Sequence, residues 1–253
     1  MAKNANIIEI FSSIQGEGPY IGCRQIFIRF AGCNLKCDYC DTPFDKQEFC
    51  NLEVILFPSE KEQFKKLKNP VSAVQLIREI SDLNEIPHHS ISLTGGEPLL
   101  HCEFLKEFLT EFKNLFPKIK IYLETNGTLV DELVLIMENI DIISMDLKLK
   151  SSTGDEFPFE KHKKFIETAQ KYNKEIFAKA VITGKISNEE INEISNFMKS
   201  FEKQIPLILQ PVSSENTELL LSSRNILGIQ EKFLKKLNDV RVIPQVHKFL
   251  DLL

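Results

Sequence analysis

Short apolar runs alternate along the chain with segments in which apolar residues recur every three or four positions. The short runs predict buried β-strands, and the longer periodic segments predict amphipathic helices. Strands are predicted over 7–11, 25–30, 90–94, 119–124, 141–146, 175–182, 206–210 and 240–243. Helices are predicted over 71–83, 105–115, 160–172, 188–201 and 227–237, with a short one near 131.

Ser187 and Glu190 have the spacing of a capping box. In that motif the hydroxyl and the carboxylate each accept a hydrogen bond from a backbone N–H in the first turn of a helix. The helix over 188–201 should therefore begin directly after Ser187. In the same way, Asn126 and Gly127 form a turn signal at the end of the strand over 119–124.

Strands and helices that alternate through connections this long predict parallel pairing and an α/β fold. About six strand–helix units are present, fewer than the eight of a closed barrel. We therefore expect a partial (β/α)6 barrel with parallel strands, formed by a single domain over residues 1–253.

The segment 45–70 interrupts this alternation and mixes Lys and Glu with a short apolar run. The favoured interpretation is an insertion that forms a surface loop or a small pair of helices. The alternative interpretation is a lid over a functional site or a docking surface for an electron donor.

Composition excludes several classes of protein. The 253 residues carry a formal net charge of −5, whereas a sequence-independent nucleic-acid-binding protein is normally basic. No apolar run approaches the roughly 20 residues of a transmembrane helix. Six cysteines occur without a signal-peptide pattern at the start, so we expect a reducing cytoplasm with thiols free to bind metal.

Cys33, Cys37 and Cys40 follow the strand over 25–30 with the spacing C-x₃-C-x₂-C. Three thiolates can hold three irons of a [4Fe–4S] cluster and leave the fourth iron open to a ligand that is not protein. A structural zinc site needs four ligands, so another cysteine or a histidine would have to complete it. The cysteines alone do not decide between the two.

Unusual polar residues follow the other predicted strands as well. The glycine pair Gly95-Gly96 follows one strand, Asn126 and Lys148 follow the next two, and Gln210 ends another. The carboxyl ends of parallel strands meet at one edge of a sheet, where active sites gather. Polar residues scattered at random would not share one edge, and this favours a cluster enzyme over a zinc site.

Together these motifs resemble the radical S-adenosylmethionine (SAM) superfamily. The resemblance is carried by the cysteine triplet, by the glycine pair in the run 94–98 and by the partial-barrel pattern across most of the chain. It implies that SAM binds the open iron through its amino and carboxylate groups. It also implies that an electron from the cluster cleaves SAM and that the resulting 5′-deoxyadenosyl radical takes a hydrogen atom from the substrate.

A narrower resemblance, from about residue 7 to about residue 250, is to the 7-carboxy-7-deazaguanine synthases. Its most discriminating parts are the opening Gln-Gly-Glu-Gly at 15–18 and the ending Gln-Val-His-Lys at 245–248. That family converts 6-carboxy-5,6,7,8-tetrahydropterin to 7-carboxy-7-deazaguanine and ammonia, in the synthesis of 7-deazapurines such as queuosine. The resemblance further implies an electron donor such as a flavodoxin or ferredoxin, and a homodimer.

The resemblance assigns roles to the matched residues. The cluster ligands are Cys33, Cys37 and Cys40, and Thr42 binds Mg²⁺. SAM is bound by Gly96, Glu97, Glu124, Ser144, Asp146, Lys148 and Gln210. The substrate is bound by Ile14, Gln15, Gly16, Arg29, Thr94 and His247.

Several of these roles have plainer alternatives. Arg29 lies in an apolar strand, where its guanidinium would suit either the substrate carboxylate or a structural ion pair. Thr42 is a suitable Mg²⁺ ligand or a helix cap. The run 144–152 departs from the Ser-Pro-Lys pattern of the family, which leaves open whether Asp146 or Lys148 contacts SAM.

Two other hypotheses compete with a 7-carboxy-7-deazaguanine synthase. A glycyl-radical activating enzyme shares the cysteines and the glycine pair but acts on a protein partner, and it lacks the Gln-Gly-Glu-Gly opening. A non-enzymatic zinc-binding module would use the cysteines for structure alone.

Overall fold

The computed structural model describes residues 3–37, 40, 42–54, 63–83, 86–154, 156–214 and 216–252, apart from the side chain of residue 82. The strands are β1 (Asn4–Ala5), β2 (Ile7–Ile14), β3 (Arg24–Phe30), β4 (Phe49–Val54), β5 (Gln63–Lys68), β6 (Val71–Ser72), β7 (Ser90–Gly95), β8 (Lys120–Thr125), β9 (Ile142–Leu147), β10 (Glu175–Ile182), β11 (Leu207–Pro211) and β12 (Val240–Val242). The helices are α1 (Ala73–Leu83), α2 (Cys102–Leu115), α3 (Val130–Ile136), α4 (Lys150–Thr153), α5 (Phe159–Lys171), α6 (Asn188–Lys199), α7 (Ser223–Leu234) and α8 (Val246–Phe249).

Ten of these strands form one sheet in the order β12-β11-β10-β9-β8-β7-β3-β2-β4-β5. All pairings from β3 through β7 to β12 are parallel, and helices connect these strands as the alternating pattern predicts. The α/β fold with a parallel sheet is therefore confirmed. The sheet is an open one, because the strands at its two ends, β12 and β5, do not pair with each other.

The inner face of the sheet changes from apolar to polar along the strand direction. Near the strand starts, four side chains from neighbouring strands pack into one small apolar cluster: Tyr122, Ile142, Phe177 and Ile208. Side chains two residues further along a strand point to the same face. At those positions stand Glu124, Ser144, Lys179 and Gln210. The apolar cluster thus forms the floor beneath a polar layer at the carboxyl ends of the strands.

The outer face of the parallel strands is covered by helices. The apolar stripe of α2 includes Phe104, Phe108 and Phe112, all of them at most 2% exposed, and it packs within the main hydrophobic core. None of the helices in the described part of the chain combines the length and the apolar character that crossing a bilayer requires.

The segment 45–70 differs from the favoured expectation of a loop or a pair of helices. β4 and β5 pair with each other antiparallel, and β4 pairs parallel with β2, so the segment extends the main sheet. The physical reason is the alternation in β4, where Cys50 and Leu52 are buried and their neighbours are more exposed. Residues 55–62 lie outside the described residues.

Two local predictions need a smaller correction. Residues 71 and 72, assigned to a helix, instead pair antiparallel with β1 before α1 begins at Ala73. Ser187 caps α6 as predicted, since its hydroxyl accepts from the Glu190 N–H at 3.1 Å. The Glu190 carboxylate, however, accepts from the backbone N–H of Ser151 at 3.1 Å, and so joins α6 to α4.

One buried histidine connects α5 to the loop after β8. His162 is fully buried, and its Nε2 donates to the carbonyl oxygen of Asn126 at 2.9 Å. Burial lowers the pKa of His162 from 6.5 to about 4, so the ring is neutral at physiological pH. This contact fixes the loop after β8, which holds Asn126 near the centre of the sheet edge.

His162 should make the unfolding free energy depend on pH between about 6.5 and 4. As the pH falls through this window the unfolded chain binds a proton that the folded chain resists, so stability falls toward acid. The contribution reaches about 3 kcal/mol at pH 4. Urea unfolding of the metal-free chain should show it as a steeper loss of stability in the wild type than in His162→Gln. Equal slopes in the two proteins would contradict it.

Candidate active site

The cysteine loop leaves the end of β3 and is held by two neighbouring loops. The Glu97 N–H donates to the Gly32 carbonyl at 2.8 Å, and His101 Nε2 donates to the Ala31 carbonyl at 3.0 Å. Cys33 and Cys37 are partly buried, and burial raises the pKa of both thiols. The loop is thus fixed at its start, just before the first thiol.

The glycine pair after β7 lets the cysteine loop approach closely. A Cβ on Gly96 would lie 1.9 Å from the Gly32 carbonyl oxygen, and a Cβ on Gly95 would lie 2.4 Å from that of Phe30. Gly95 also has a φ of 112°, which disfavours residues with a side chain. Both positions therefore require glycine for packing, before any contact with a ligand is considered.

Glu97 is fully buried beneath these loops. Its carboxylate accepts from the Leu99 N–H at 3.0 Å, from Thr125 Oγ1 at 2.9 Å and from the Asn126 N–H at 2.7 Å. Burial raises the pKa of Glu97 to about 7, against the opposing effect of these hydrogen bonds. The side chain joins the loop after β7 to the loop after β8.

Asn126 connects that loop to the first cysteine. Its Nδ2 donates to Asn34 Oδ1 at 2.8 Å and lies 3.8 Å from Cys33 Sγ, while its Oδ1 accepts from the N–H and the hydroxyl of Thr128. The Leu35 N–H lies 3.5 Å from the same sulfur. Hydrogen bonds to cysteine sulfur orient a metal ligand and tune the metal.

The three cysteines and most of the other predicted site residues line one cavity at the carboxyl ends of the strands. Those that line it are Ile14, Gln15, Gly16, Arg29, Cys33, Cys37, Cys40, Thr42, Thr94, Gly96, Glu124, Asp146, Lys148, Gln210 and His247. Glu97 and Ser144 are absent from the described cavity wall; both side chains are buried behind it. Their contact with SAM stays a prediction.

A buried lysine neutralises the carboxylates in the polar layer. Lys179 on β10 donates to Glu17 and lies 3.3 Å from Asp146 Oδ1, and Lys148 Nζ lies 2.7 Å from Asp146 Oδ2. Burial opposes the charged form of all three groups at the centre of this network. The mutual attraction nevertheless holds the pKa of Lys179 well above its usual value and those of Glu17 and Asp146 below theirs.

Glu124 occupies the same layer, and no lysine or arginine in the described part of the chain forms an ion pair with it. Its carboxylate accepts from Gln15 Nε2 and Thr94 Oγ1, each at 3.0 Å, and from Ser92 Oγ at 3.3 Å. Burial raises the pKa of Glu124, the ammonium of Lys179 lowers it, and the Glu17 carboxylate raises it further. Glu124 thereby fixes the side chain of Gln15 at the wall of the cavity.

Arg29 forms the structural ion pair that was one of the two roles considered for it, and it also reaches the cavity. Its Nε donates to Glu9 Oε1 at 2.6 Å across the β2–β3 pair, and the guanidinium lies over the Phe11 ring. Arg29 also lines the cavity. A guanidinium has five N–H donors in a planar fork, so the ion pair through Nε orients the group without using all of its donors.

The two ends of the chain meet at the cavity. The Val246 N–H donates to the Gly16 carbonyl at 2.9 Å, and Gln245 Nε2 donates to Glu17 Oε1 at 2.7 Å. A Cβ on Gly16 would lie 2.2 Å from His247 Nδ1, so glycine is needed there to admit α8. The Gln-Gly-Glu-Gly opening and the Gln-Val-His-Lys ending therefore form one wall.

Comparisons with known proteins agree with this arrangement. Residues 27–198 match the model of the radical SAM superfamily. The 7-carboxy-7-deazaguanine synthase of Geobacter sulfurreducens is 39% identical over 250 residues, which cover 97% of each chain. That of Archaeoglobus fulgidus is 36% identical over 253 residues, covering 97% of this chain and 98% of the relative. The chain belongs to the 7-carboxy-7-deazaguanine synthase family of radical SAM enzymes.

Solved structures support the same fold. The crystal structure of QueE from Escherichia coli matches with a TM-score of 0.60 at 21% identity and covers 96% of this chain and 94% of that one. The structure of anSMEcpe with bound AdoMet matches with a TM-score of 0.53 over 83% of this chain and 58% of that one. As a radical SAM lyase, the chain uses a [4Fe–4S] cluster and SAM.

The residues at the cavity fit the cluster that this family requires. Cys33, Cys37 and Cys40 are free thiols on one loop, and all three line the cavity. The other three cysteines are absent from the described wall, so no fourth thiol accompanies them there. The number of thiols matches a cluster held at three irons, each thiol on a different iron, and is one fewer than a four-cysteine zinc site needs. In the described part of the chain no three Cys, His, Asp or Glu side chains are placed around a single metal ion.

Several residues of the described cavity wall had no predicted contact with a ligand, among them Glu17, Asn126, Lys179 and Gln245. Glu17, Asn126 and Gln245 lie within motifs of the sequence, and Asn126 was expected at the active edge, but no contact was predicted for their side chains. Lys179 lies in none, and its signal is a lysine between two alanines in an otherwise apolar strand. A buried lysine is rare without a partner, and this position could have been singled out on that ground.

Gly96→Ala should lower cluster incorporation, because its Cβ would push against the Gly32 carbonyl and displace the cysteine loop. Iron and sulfide per chain after anaerobic reconstitution, together with the visible absorption of the cluster, measure the effect. Gly228→Ala on α7 is the matched control, because nothing lies within 4 Å of its new Cβ and alanine favours the helix. Full cluster content in Gly96→Ala would contradict the packing argument.

Proposed function

We propose that this protein converts 6-carboxy-5,6,7,8-tetrahydropterin to 7-carboxy-7-deazaguanine and ammonia, as a step toward 7-deazapurines such as queuosine. The observation that carries the proposal is the contact between the opening at 15–18 and the ending at 245–248 on one wall of the cysteine-lined cavity. These are the motifs that distinguish this family from activating enzymes with the same cysteines.

The cluster and SAM, when bound, supply the radical that abstracts a hydrogen atom from the substrate. Cys33, Cys37 and Cys40 are proposed to hold the cluster. Residues from four strand ends are proposed to bind SAM: Gly96, Glu97, Glu124, Ser144, Asp146, Lys148 and Gln210. The buried position of Glu97 and Ser144 favours a supporting role behind the wall, whereas both Asp146 and Lys148 reach the wall.

A second set of residues at the cavity is proposed to bind the carboxypterin: Ile14, Gln15, Gly16, Arg29, Thr94 and His247. Arg29 supplies the positive charge that a substrate carboxylate needs, and its planar fork allows two parallel hydrogen bonds. Glu9 and the Phe11 ring hold the guanidinium in place at the cavity. Gln15 is oriented by Glu124, and His247 by the docking of α8 on Gly16.

Thr42 lies at the cavity close in sequence to Cys40, and we propose that its hydroxyl helps to bind Mg²⁺ beside the substrate carboxylate. The remaining expectations are proposals of the same kind. They are a single domain over 1–253, a cytoplasmic homodimer and a flavodoxin or ferredoxin as electron donor.

Anaerobic incubation of reconstituted protein with dithionite, SAM and the carboxypterin should yield 7-carboxy-7-deazaguanine, identified by its mass. Cys37→Ala should abolish product, since the cluster would lose one of its three ligands. Cys102→Ala is the control, because Cys102 lies at the start of α2 and is not part of the described wall, and it should retain turnover. Product from Cys37→Ala would contradict the cluster mechanism.

The same assay separates the rival hypothesis of a glycyl-radical activating enzyme. That enzyme would cleave SAM, leave the carboxypterin unchanged and generate a stable radical on a protein partner. A non-enzymatic zinc module would contain zinc without iron or sulfide after anaerobic purification, so metal analysis tests it independently of turnover.

Arg29→Gln should raise the KM for the carboxypterin by at least tenfold, because the neutral amide cannot pair with the carboxylate. Uncoupled cleavage of SAM should persist, since Arg29 is not among the residues proposed to bind SAM. Arg241→Gln is the matched control, because Arg241 in β12 pairs with the preceding Asp239 and is not part of the described cavity wall. An unchanged KM in Arg29→Gln would exclude the proposed carboxylate contact.

A further inference from the structure

Three side-chain groups converge on the carboxylate of Glu17, in the turn after β2. Lys179 donates to Oε2, while Gln245 Nε2 and Gln210 Nε2 donate to Oε1 at 2.7 and 3.3 Å. An ionised carboxylate only accepts hydrogen bonds, so it attracts the NH₂ end of both amides. Glu17 therefore sets which end of each glutamine points toward it.

Gln210 shows the consequence of this orientation. The side chain is 4% exposed and lies at the wall of the cavity. Its Oε1 is buried, and no described residue lies within hydrogen-bond distance of it. Buried side-chain acceptors are nearly always satisfied, so a buried amide oxygen at a cavity wall indicates a ligand that donates an N–H or an O–H.

We infer that Glu17 is a positioning residue whose carboxylate, held by Lys179, fixes the amide of Gln210 with its carbonyl oxygen presented as an acceptor to a bound ligand. The ligand group is an N–H or O–H donor, which both SAM and the carboxypterin carry. The inference rests on the proposed function for the identity of these two ligands. It adds a role for Glu17 and Lys179, which act on the ligand through the orientation of Gln210.

The neutral variant Glu17→Gln tests the orientation. An amide at position 17 can donate as well as accept, so Gln210 could turn its carbonyl oxygen toward residue 17 and its NH₂ group toward the ligand. The NH₂ group of Gln210 and the donor group of the ligand would then face each other without an acceptor between them. The affinity for the ligand that Gln210 contacts should fall about tenfold, which is the effect expected from the loss of one hydrogen bond.

The double variant Glu17→Gln/Gln210→Glu supplies the decisive comparison. The carboxylate is now at position 210, where one oxygen can accept from the amide at position 17 and the other can accept from the ligand. Net charge and side-chain size are those of the wild type. Under the inference the double variant recovers most of the lost affinity, whereas a purely structural role of Glu17 predicts no recovery.

Affinities are measured with the reconstituted holoenzyme, its cluster oxidised and no reductant present, so that no turnover occurs. One arm titrates SAM alone, and the other titrates the carboxypterin at saturating SAM. The arm in which Glu17→Gln loses affinity identifies which ligand Gln210 contacts. Glu79→Gln is the matched control, since Glu79 is a buried carboxylate paired with Lys65 and Arg78 and is not part of the described cavity wall; it should change neither affinity.

Each outcome decides one question. Wild-type affinity in Glu17→Gln for both ligands would overturn the inference, as would a loss that the double variant does not recover. If Glu17→Gln does not fold, the double variant alone decides, because it binds like the wild type only if position 210 presents an acceptor. Failure of the wild-type protein to bind the carboxypterin would instead count against the proposed function.

Discussion

The burial of Lys179 between two carboxylates is the interaction on which the site depends. An ammonium group removed from water is costly unless its charge is compensated at close range. Glu17 and Asp146 provide that compensation from two different parts of the chain, the turn after β2 and the end of β9. The same contacts let the two carboxylates remain charged inside the sheet edge. Removing Lys179 would take the cation from the largely buried Glu17 carboxylate, whereas Asp146 would keep its ion pair with Lys148.

The charge network also explains how the ends of the sequence come together. Glu17 accepts from Gln245, and the adjacent carbonyl of Gly16 accepts from the Val246 N–H. The wall of the cavity is therefore complete only when the last helix has docked on the turn after the first long strand. Those segments lie more than 200 positions apart in the sequence, so this part of the wall depends on strongly non-local contacts.

Much of the fold followed from the sequence because the strands of the parallel sheet and the longer helices have strong local patterns. The alternation of apolar runs and helical stripes was sufficient to predict the parallel sheet. The polar residues at the strand ends indicated which edge of the sheet carries the active site. The cysteine spacing and the matched motifs placed fifteen predicted residues on the cavity wall. The antiparallel pair β4 and β5 was missed because its sequence signal is weak. In β4 only two alternate side chains, Cys50 and Leu52, are buried.

Side-chain partners could not be predicted in the same way, because they depend on tertiary distances. Nothing local shows that Glu190 turns from its own helix to Ser151, or that Lys179 points inward beside Asp146. For Ser144 and Glu97 the sequence was informative about the region but not about the exact position. Their motifs indicate the site, while the fold buries both side chains behind its wall.

An open sheet leaves two lateral strands whose backbone groups could recruit a second chain. On one side, β5 carries Lys65, Lys66 and Lys68, all exposed, and such clustered positive charge repels an identical strand. On the other side, β12 is only three residues long, too short to template extended pairing. The sheet can thus stay open at both of its edges without exposing the protein to edge-to-edge aggregation.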